Sequence, residues 1–132
     1  MLIEQAVLTE LGNAAALVAI VSTRIYYVRA PQSVISPYVI LSKVSASREQ
    51  THDGPAHLAY SEIQIFSFAT TYTVAKEIAG IIQTTLQAFS GNMGDAPYVA
   101  VGACEYTDEV DDHDPDTNLY YVSQIFRISH YE

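Results

Sequence analysis

The sequence predicts an α+β fold: a mostly antiparallel sheet of about four to five strands packed by two main helices, in the order α-β-β-α-β-β. Three observations predict it. Residues 71–89 carry an apolar stripe at helical spacing. Residues 58–68 alternate as a strand does, with apolar groups toward both faces. Two further strand-like runs, 98–106 and 119–131, flank a run of acidic residues, which is the pattern of a hairpin.

The elements follow in order. Ile3, Val7, Leu11, Ala14 and Val18 recur at helical intervals, interrupted by Gly12-Asn13, two residue types that tolerate the left-handed conformation that ends helices. This gives a helix over residues 2–11 and a short second one over 14–20. Ile25 to Val28 reads as a possible strand. The segment Arg29-Ala-Pro31-Gln-Ser33 is a loop, because proline fixes its own φ and restricts Ala30. Pro37 leads into a strand over 38–44. The polar stretch 45–54, with its Asp53-Gly54-Pro55 turn signal, reads as a loop or a flexible hairpin arm. In the strand over 58–68, Ile63 and Ile65 share one face, and Tyr60, Phe66 and Phe68 share the other, which suits a central position. Val74, Ile78, Ile81, Ile82, Leu86 and Phe89 form the stripe of the main helix, with Thr70 or Thr71 as its cap and the segment 90–94 as its stop.

Composition bounds the possibilities. A chain of 132 residues, 49% hydrophobic, suits one domain spanning residues 1–132 and needs neither metal nor disulfide to fold. The longest apolar stretch, residues 14–21, is far short of the ~20 residues that cross a membrane, so no membrane partner is expected. The first residues, Met-Leu-Ile-Glu-Gln, carry no basic signal-peptide region, and one cysteine excludes an internal disulfide, so folding in a reducing cytoplasm is expected. A net charge of −9 with six basic residues disfavours nucleic-acid binding, which depends on neutralising phosphates.

Residues 107–116 hold six acidic side chains: Asp108, Glu109, Asp111, Asp112, Asp114 and Asp116. Strands hold like charges side by side poorly, so a solvated turn is predicted there. The same run suggests oxygen ligands for a hard cation, and a small metal- or ligand-binding domain built on residues 108–116 is the alternative reading. The EF-hand pattern fails in either register: counting from Asp111, the sixth and twelfth positions are Asp116 and Val122; counting from Asp108, they are His113 and Leu119.

Other chemistry is sparse. His52 and His57 flank a turn without a zinc-site spacing. His113, among carboxylates, is a candidate pH sensor, though a solvated histidine is the simpler reading. Cys104, beside Gly102 and Ala103, reads as a small packed side chain. No nucleophile elbow, phosphate loop or paired carboxylate stands out. No catalytic residue, cofactor or metal ligand is assigned, and no enzyme activity is expected. The ten tyrosines are the remaining feature: the adjacent pairs Tyr26-Tyr27 and Tyr120-Tyr121 must each send one ring to either face of a strand.

Several segments in order resemble a known family. They are Arg24-Ile-Tyr26, Arg29-Ala-Pro31, Pro37-Tyr-Val39, Thr51-His-Asp-Gly-Pro55, Ile63-Gln-Ile65, the helix after Thr71-Tyr72, Asp114-Pro-Asp-Thr117 and Leu119-Tyr-Tyr-Val-Ser123. Together they resemble the tail completion or tail terminator proteins of tailed bacteriophages, which also occur in prophages and phage-derived gene transfer particles. Tyr27, Ser67 and Phe68 depart from the usual family pattern.

The resemblance implies a structural virion protein in the tail, at its junction with the neck, assembled in the cytoplasm of the bacterial host. It implies a homo-oligomeric ring, usually hexameric, at the head-proximal end of the tail. The ring would stop polymerisation of the major tail tube protein and meet the head–tail connector or stopper protein, while DNA passes through its lumen without specific binding. The expected assembly residues are Arg29, Pro31, Asp53, Gly54, Asp108, Asp111, Asp112, Asp114, Asp116 and Tyr121, with the acidic segment on the lumen or on a rim facing the next ring.

Overall fold

A hydrogen bond from the Leu2 amide to Gln5 Oε1 (2.9 Å) opens the first helix. This is half of a capping box, since Leu2 itself has no side-chain oxygen to offer. The structure, a computed structural model, describes residues 2–51, 54–87 and 89–131. Helix α1 (Ile3–Gly12) and helix α2 (Ala15–Val21) meet at an 84° bend. Strand β1 (Ile25–Tyr27), strand β2 (Tyr38–Thr51) and strand β3 (Gly54–Ala69) follow. Helix α3 (Tyr72–Leu86) is capped by Thr71, whose Oγ1 accepts from the Val74 amide at 3.3 Å. Strand β4 (Gly91–Met93), strand β5 (Val99–Asp114) and strand β6 (Leu119–Tyr131) complete the chain.

The strands form one six-stranded sheet in the order β1-β2-β3-β6-β5-β4. Among the described residues only the β1–β2 pairing is parallel, so the sheet is mixed. The helices lie over one face. From β3, Ile63 and Ile65 point into the core, joined by Leu41, Val122, Phe126 and Ile128 from neighbouring strands. Ile78, Ile82 and Leu86 meet them from α3, and Val7, Leu11 and Leu17 from α1 and α2. Burying each such side chain fully contributes about 1.5–3 kcal/mol, and this stripe fixes which face of each strand turns inward.

The predicted inventory therefore needs correction: three helices and six strands replace two main helices and four to five strands, and the order is α-α-β-β-β-α-β-β-β. β1 is the possible strand read over residues 25–28, and β4 is the unexpected one; each is three residues long, too short to show periodicity, and exists through pairing. β1 lies along Val39 to Leu41 of β2, and β4 lies along Val99 to Val101 of β5. Residues 90–94, expected only to stop a helix, contain β4; Gly91 and Gly94 take positive φ there (106° and 86°). The main helix ends at Leu86, three residues early, where Gln87 turns extended. Gly12 and Asn13 do not use the left-handed conformation; Asn13 ends α1 at φ −93°.

Of the two readings for the polar stretch 45–54, the hairpin arm holds: residues 45–51 continue β2 and Gly54 opens β3, with rungs from Ser45–Glu62 to Thr51–Gly54, while residues 52 and 53 lie outside the described residues. The acidic segment is not a turn up to Asp114: β5 runs through it, and the turn proper is residues 115–118. Like charges are tolerated in this strand because it is an edge. β4 covers only its first residues, so the acids stand in solvent rather than against another strand's acids.

No single helix among the described residues is long and apolar enough to cross a membrane. The bent pair α1–α2 passes by length and composition, but Ile3, Ala6, Val7, Leu11, Leu17 and Val21 are buried in the core.

Candidate assembly interface

Among the described residues, no helix covers the second face of the sheet. Alternation puts Tyr38, Ile40, Phe66, Phe68, Tyr121 and Ile125 there, at one end of the strands. The rings touch: Tyr38 stacks on Phe68 with centroids 4.9 Å apart, Phe68 lies 5.3 Å from Tyr121, and Phe66 meets Tyr121 edge-on at 5.9 Å. The other end of this face is polar. Arg127 lies over the Tyr60 ring (4.7 Å), beside Glu105 and Ser129. The open face thus offers an aromatic half and a charged half, the composition that protein interfaces favour.

The acidic strand divides its side chains between the two faces. Pairing with Ile125, Ser123 and Tyr121 turns Asp108, Val110 and Asp112 toward the open face. Tyr121 Oη donates to Asp112 Oδ2 at 3.3 Å; burial, then the Asp112 charge, pushes the phenol pKa up. Glu109 and Asp111 face the helices instead. Lys76 of α3 reaches both, at 3.4 Å and 3.2 Å. Two aspartates also close the edge itself: Asp108 Oδ1 accepts from the Glu109 amide (2.9 Å) and Asp112 Oδ1 from the His113 amide (2.7 Å). In the turn, Asp114 accepts from the Asp116 amide and the Thr117 hydroxyl, both at 3.0 Å. His113 Nε2 lies 3.0 Å from Asn118 Oδ1, and its ring lies against Tyr120.

At the opposite side of the sheet, β1 stops after Tyr27 because Val28 turns to φ 64°, a strained value for a β-branched residue. The Val28 amide still bonds Leu41 O (2.9 Å), but β2 beyond Leu41 is a free edge. A groove lies along it, lined by Leu2, Tyr27, Val28, Leu41 and Lys43. Lys43 pairs with Glu4 of α1 at 2.8 Å.

The expected assembly residues are not one patch. Asp108, Asp111, Asp112, Asp114, Asp116 and Tyr121 gather on the β5–β6 hairpin. Arg29 and Pro31 are exposed in the loop between β1 and β2, across the sheet. Gly54 opens β3 at the end of the other hairpin, while Asp53 and His52 lie outside the described residues. Sequence reasoning missed Phe66, Phe68 and Lys43 as residues open to a partner, with Tyr38 buried beneath them by its stacking on Phe68. The even-numbered aromatics of β3 were the signal, once every helix is known to lie on the other face. Among the described residues, no three His, Cys, Asp or Glu side chains converge as metal ligands do. Cys104 is buried beneath the helices, and its thiol is pushed up to about 12 by burial and then by the Glu105 charge.

Comparison with known proteins completes the description. A family profile described as "Tail completion protein gp17" matches residues 5–131. No curated protein matches. Among solved structures, a chain from "Virion of native gene transfer agent (GTA) particle" has a similar fold, with a TM-score of 0.78 at 16% identity, over 96% of this chain and 92% of that one.

Proposed function

We propose a role that proceeds from one premise: the chain belongs to the tail completion protein family, whose profile matches it over residues 5–131. It is therefore a structural, non-catalytic component of a phage or phage-derived tail, of the completion or terminator type, and its work is done by contacts with other tail components. The finer reading is a homo-oligomeric ring, hexameric in the particle, at the head-proximal end. This ring ends growth of the major tail tube protein and receives the head–tail connector, and DNA passes through its lumen. All residues from 1 to 132 act as one unit in this reading.

The observation that carries it is the placement of the two hairpin ends. The β2–β3 hairpin runs past the Leu58–Tyr131 rung, so its end at Thr51 and Gly54 extends beyond β6. The β5–β6 hairpin turns at the opposite end of the sheet, beyond the Ala69–Tyr120 rung. A subunit with one projection at each end of a stiff sheet can touch a ring above and a ring below. The acidic β5–β6 end suits a surface that DNA passes without sticking, on the lumen or on a rim.

Particles produced without this chain test the reading. Tails of uncontrolled length that fail to join heads are expected by electron microscopy; tails of normal length joined to heads would overturn it. Replacing Asp108, Asp112 and Asp114 with Asn is expected to impair assembly or DNA passage while leaving the monomer folded. Asp111 is left intact because it anchors α3.

A further inference from the structure

Charge is segregated across the sheet. Four of the six cationic side chains, Arg24, Arg29, Lys43 and Arg48, fall on β1, β2 or the turn and loop bordering them, and that stretch holds one acid, Glu49. Residues 99–118, at the other side, hold seven acids and no lysine or arginine. Both sides are free edges: β1 covers β2 only at Val39 to Leu41, and β4 covers β5 only at Val99 to Val101.

We propose that successive copies of the chain meet edge to edge, the acidic β5 edge of one copy against the β1–β2 edge of the next, with Asp108 facing Arg29; Lys43 turns to the helix face, where Glu4 holds it. This rests on the ring reading above and gives that ring its contact. Level supports it as well as charge. Asp108 pairs with Ile125, Ile125 with Gln64 and Gln64 with Ser42, so Asp108 and Ser42 share one row across the sheet. Copies set side by side without a shift along the strands therefore bring Asp108 to the level of Ser42, beside the loop that carries Arg29. Direction agrees too: three antiparallel pairings separate β2 from β5, so the two edge strands run in opposite senses and meet antiparallel.

The same charges decide against other pairings. Two β5 edges repel, so a two-fold dimer through that strand is disfavoured, and a head-to-tail contact remains, which is the kind that closes rings. Asp108 and Asp112 already occupy the Glu109 and His113 amides. Side chains rather than a new backbone ladder then carry the contact, and it weakens as salt screens it.

Charge exchange in assembling tails tests this. Asp108→Lys and Arg29→Glu are each expected to cut incorporation of the chain into tails at least about tenfold, with far-ultraviolet circular dichroism of the monomer unchanged. Combining them is expected to restore incorporation. Normal incorporation of either single variant, or no recovery in the pair, overturns the edge contact. A second arm pairs Asp108→Cys with Arg29→Cys and oxidises purified tails. A ladder of chain multiples supports the contact; no ladder in tails that contain the chain overturns it, and this arm stands even if a charge reversal unfolds the protein. If wild-type tails contain the chain in no ring at all, the ring reading itself fails; if the ring is present but survives both reversals, only the edge contact fails.

Discussion

Tyr72 Oη donates a 2.6 Å hydrogen bond to Asp111 Oδ2, tying the first turn of α3 to the acidic stretch of β5. Lys76, one helical turn later, reaches the same carboxylate. One strand thus serves two ends: its helix-facing acids fasten the fold, and its open-face acids stay available to a neighbour.

The contact carries a pH signature. The Tyr72 hydrogen bond, then Lys76, holds Asp111 below its ordinary value of 3.8, against a smaller opposing effect of burial. The bond to Asp111 raises Tyr72 above 10.0. A depressed acid stabilises the fold above its unfolded value and loses that contribution as pH falls through the folded one. A raised phenol contributes below its unfolded value and loses it as pH rises. Tyr72→Phe is therefore expected to lower Tm slightly, on the order of 2 °C, between these limits. The gap from wild type should close at both pH extremes in thermal melts.

Two phenylalanines separate folding from assembly. Phe126 is fully buried and stacks on Tyr106 (centroids 5.1 Å apart). Phe126→Ala is expected to cost about 3–5 kcal/mol in urea unfolding. Phe68, on the open face, is only half-buried. Phe68→Ser should cost roughly 1–2 kcal/mol yet impair tail assembly more than its stability loss explains. Equal effects on assembly at matched stability would count against the open face as a contact surface.

Gln124 is a polar side chain in the core. Its Nε2 donates to Ala79 O (2.9 Å) and Tyr106 Oη (3.2 Å), while Oε1 is buried without a partner. Gln124→Leu removes the lone acceptor along with the donors, so a change within about 1 kcal/mol is expected. Gln124→Ala leaves a cavity and should cost roughly 2–3 kcal/mol. Denaturant midpoints for the two variants check the ordering.

Cys104 should be inert in the native state. With its pKa near 12 and its side chain buried, almost no thiolate exists at pH 8. Maleimide labelling at that pH is expected only after denaturation, and rapid native labelling would show that the strand opens locally.

Much of the fold was readable where a periodic stretch was long. The β3 alternation and the α3 stripe place their residues on the faces where the structure has them. The failures share a cause. β4 is a strand only because β5 pairs with it, and its three residues carry no period of their own. The acidic run reads as a turn in the sequence because like charges disfavour a strand. That argument assumes a charged strand across from it, and β5 has none along its acidic outer edge. Of the expected interface, the acids and Tyr121 did converge on one hairpin. The other expected residues, Arg29, Pro31 and Gly54, lie elsewhere because their loop and hairpin are set by the pairing of β2 with β1 and β3, which no local pattern announces.

The long β3–β6 pairing has a mechanical consequence. Twelve consecutive rungs join the two strands, from Leu58–Tyr131 to Ala69–Tyr120, over roughly 40 Å at strand rise. Tension applied between the two hairpin ends runs along these strands, so it loads all the rungs in shear at once instead of peeling them one after another. A load carried from one end of the subunit to the other would thus meet a strut that resists stretching most along its own length.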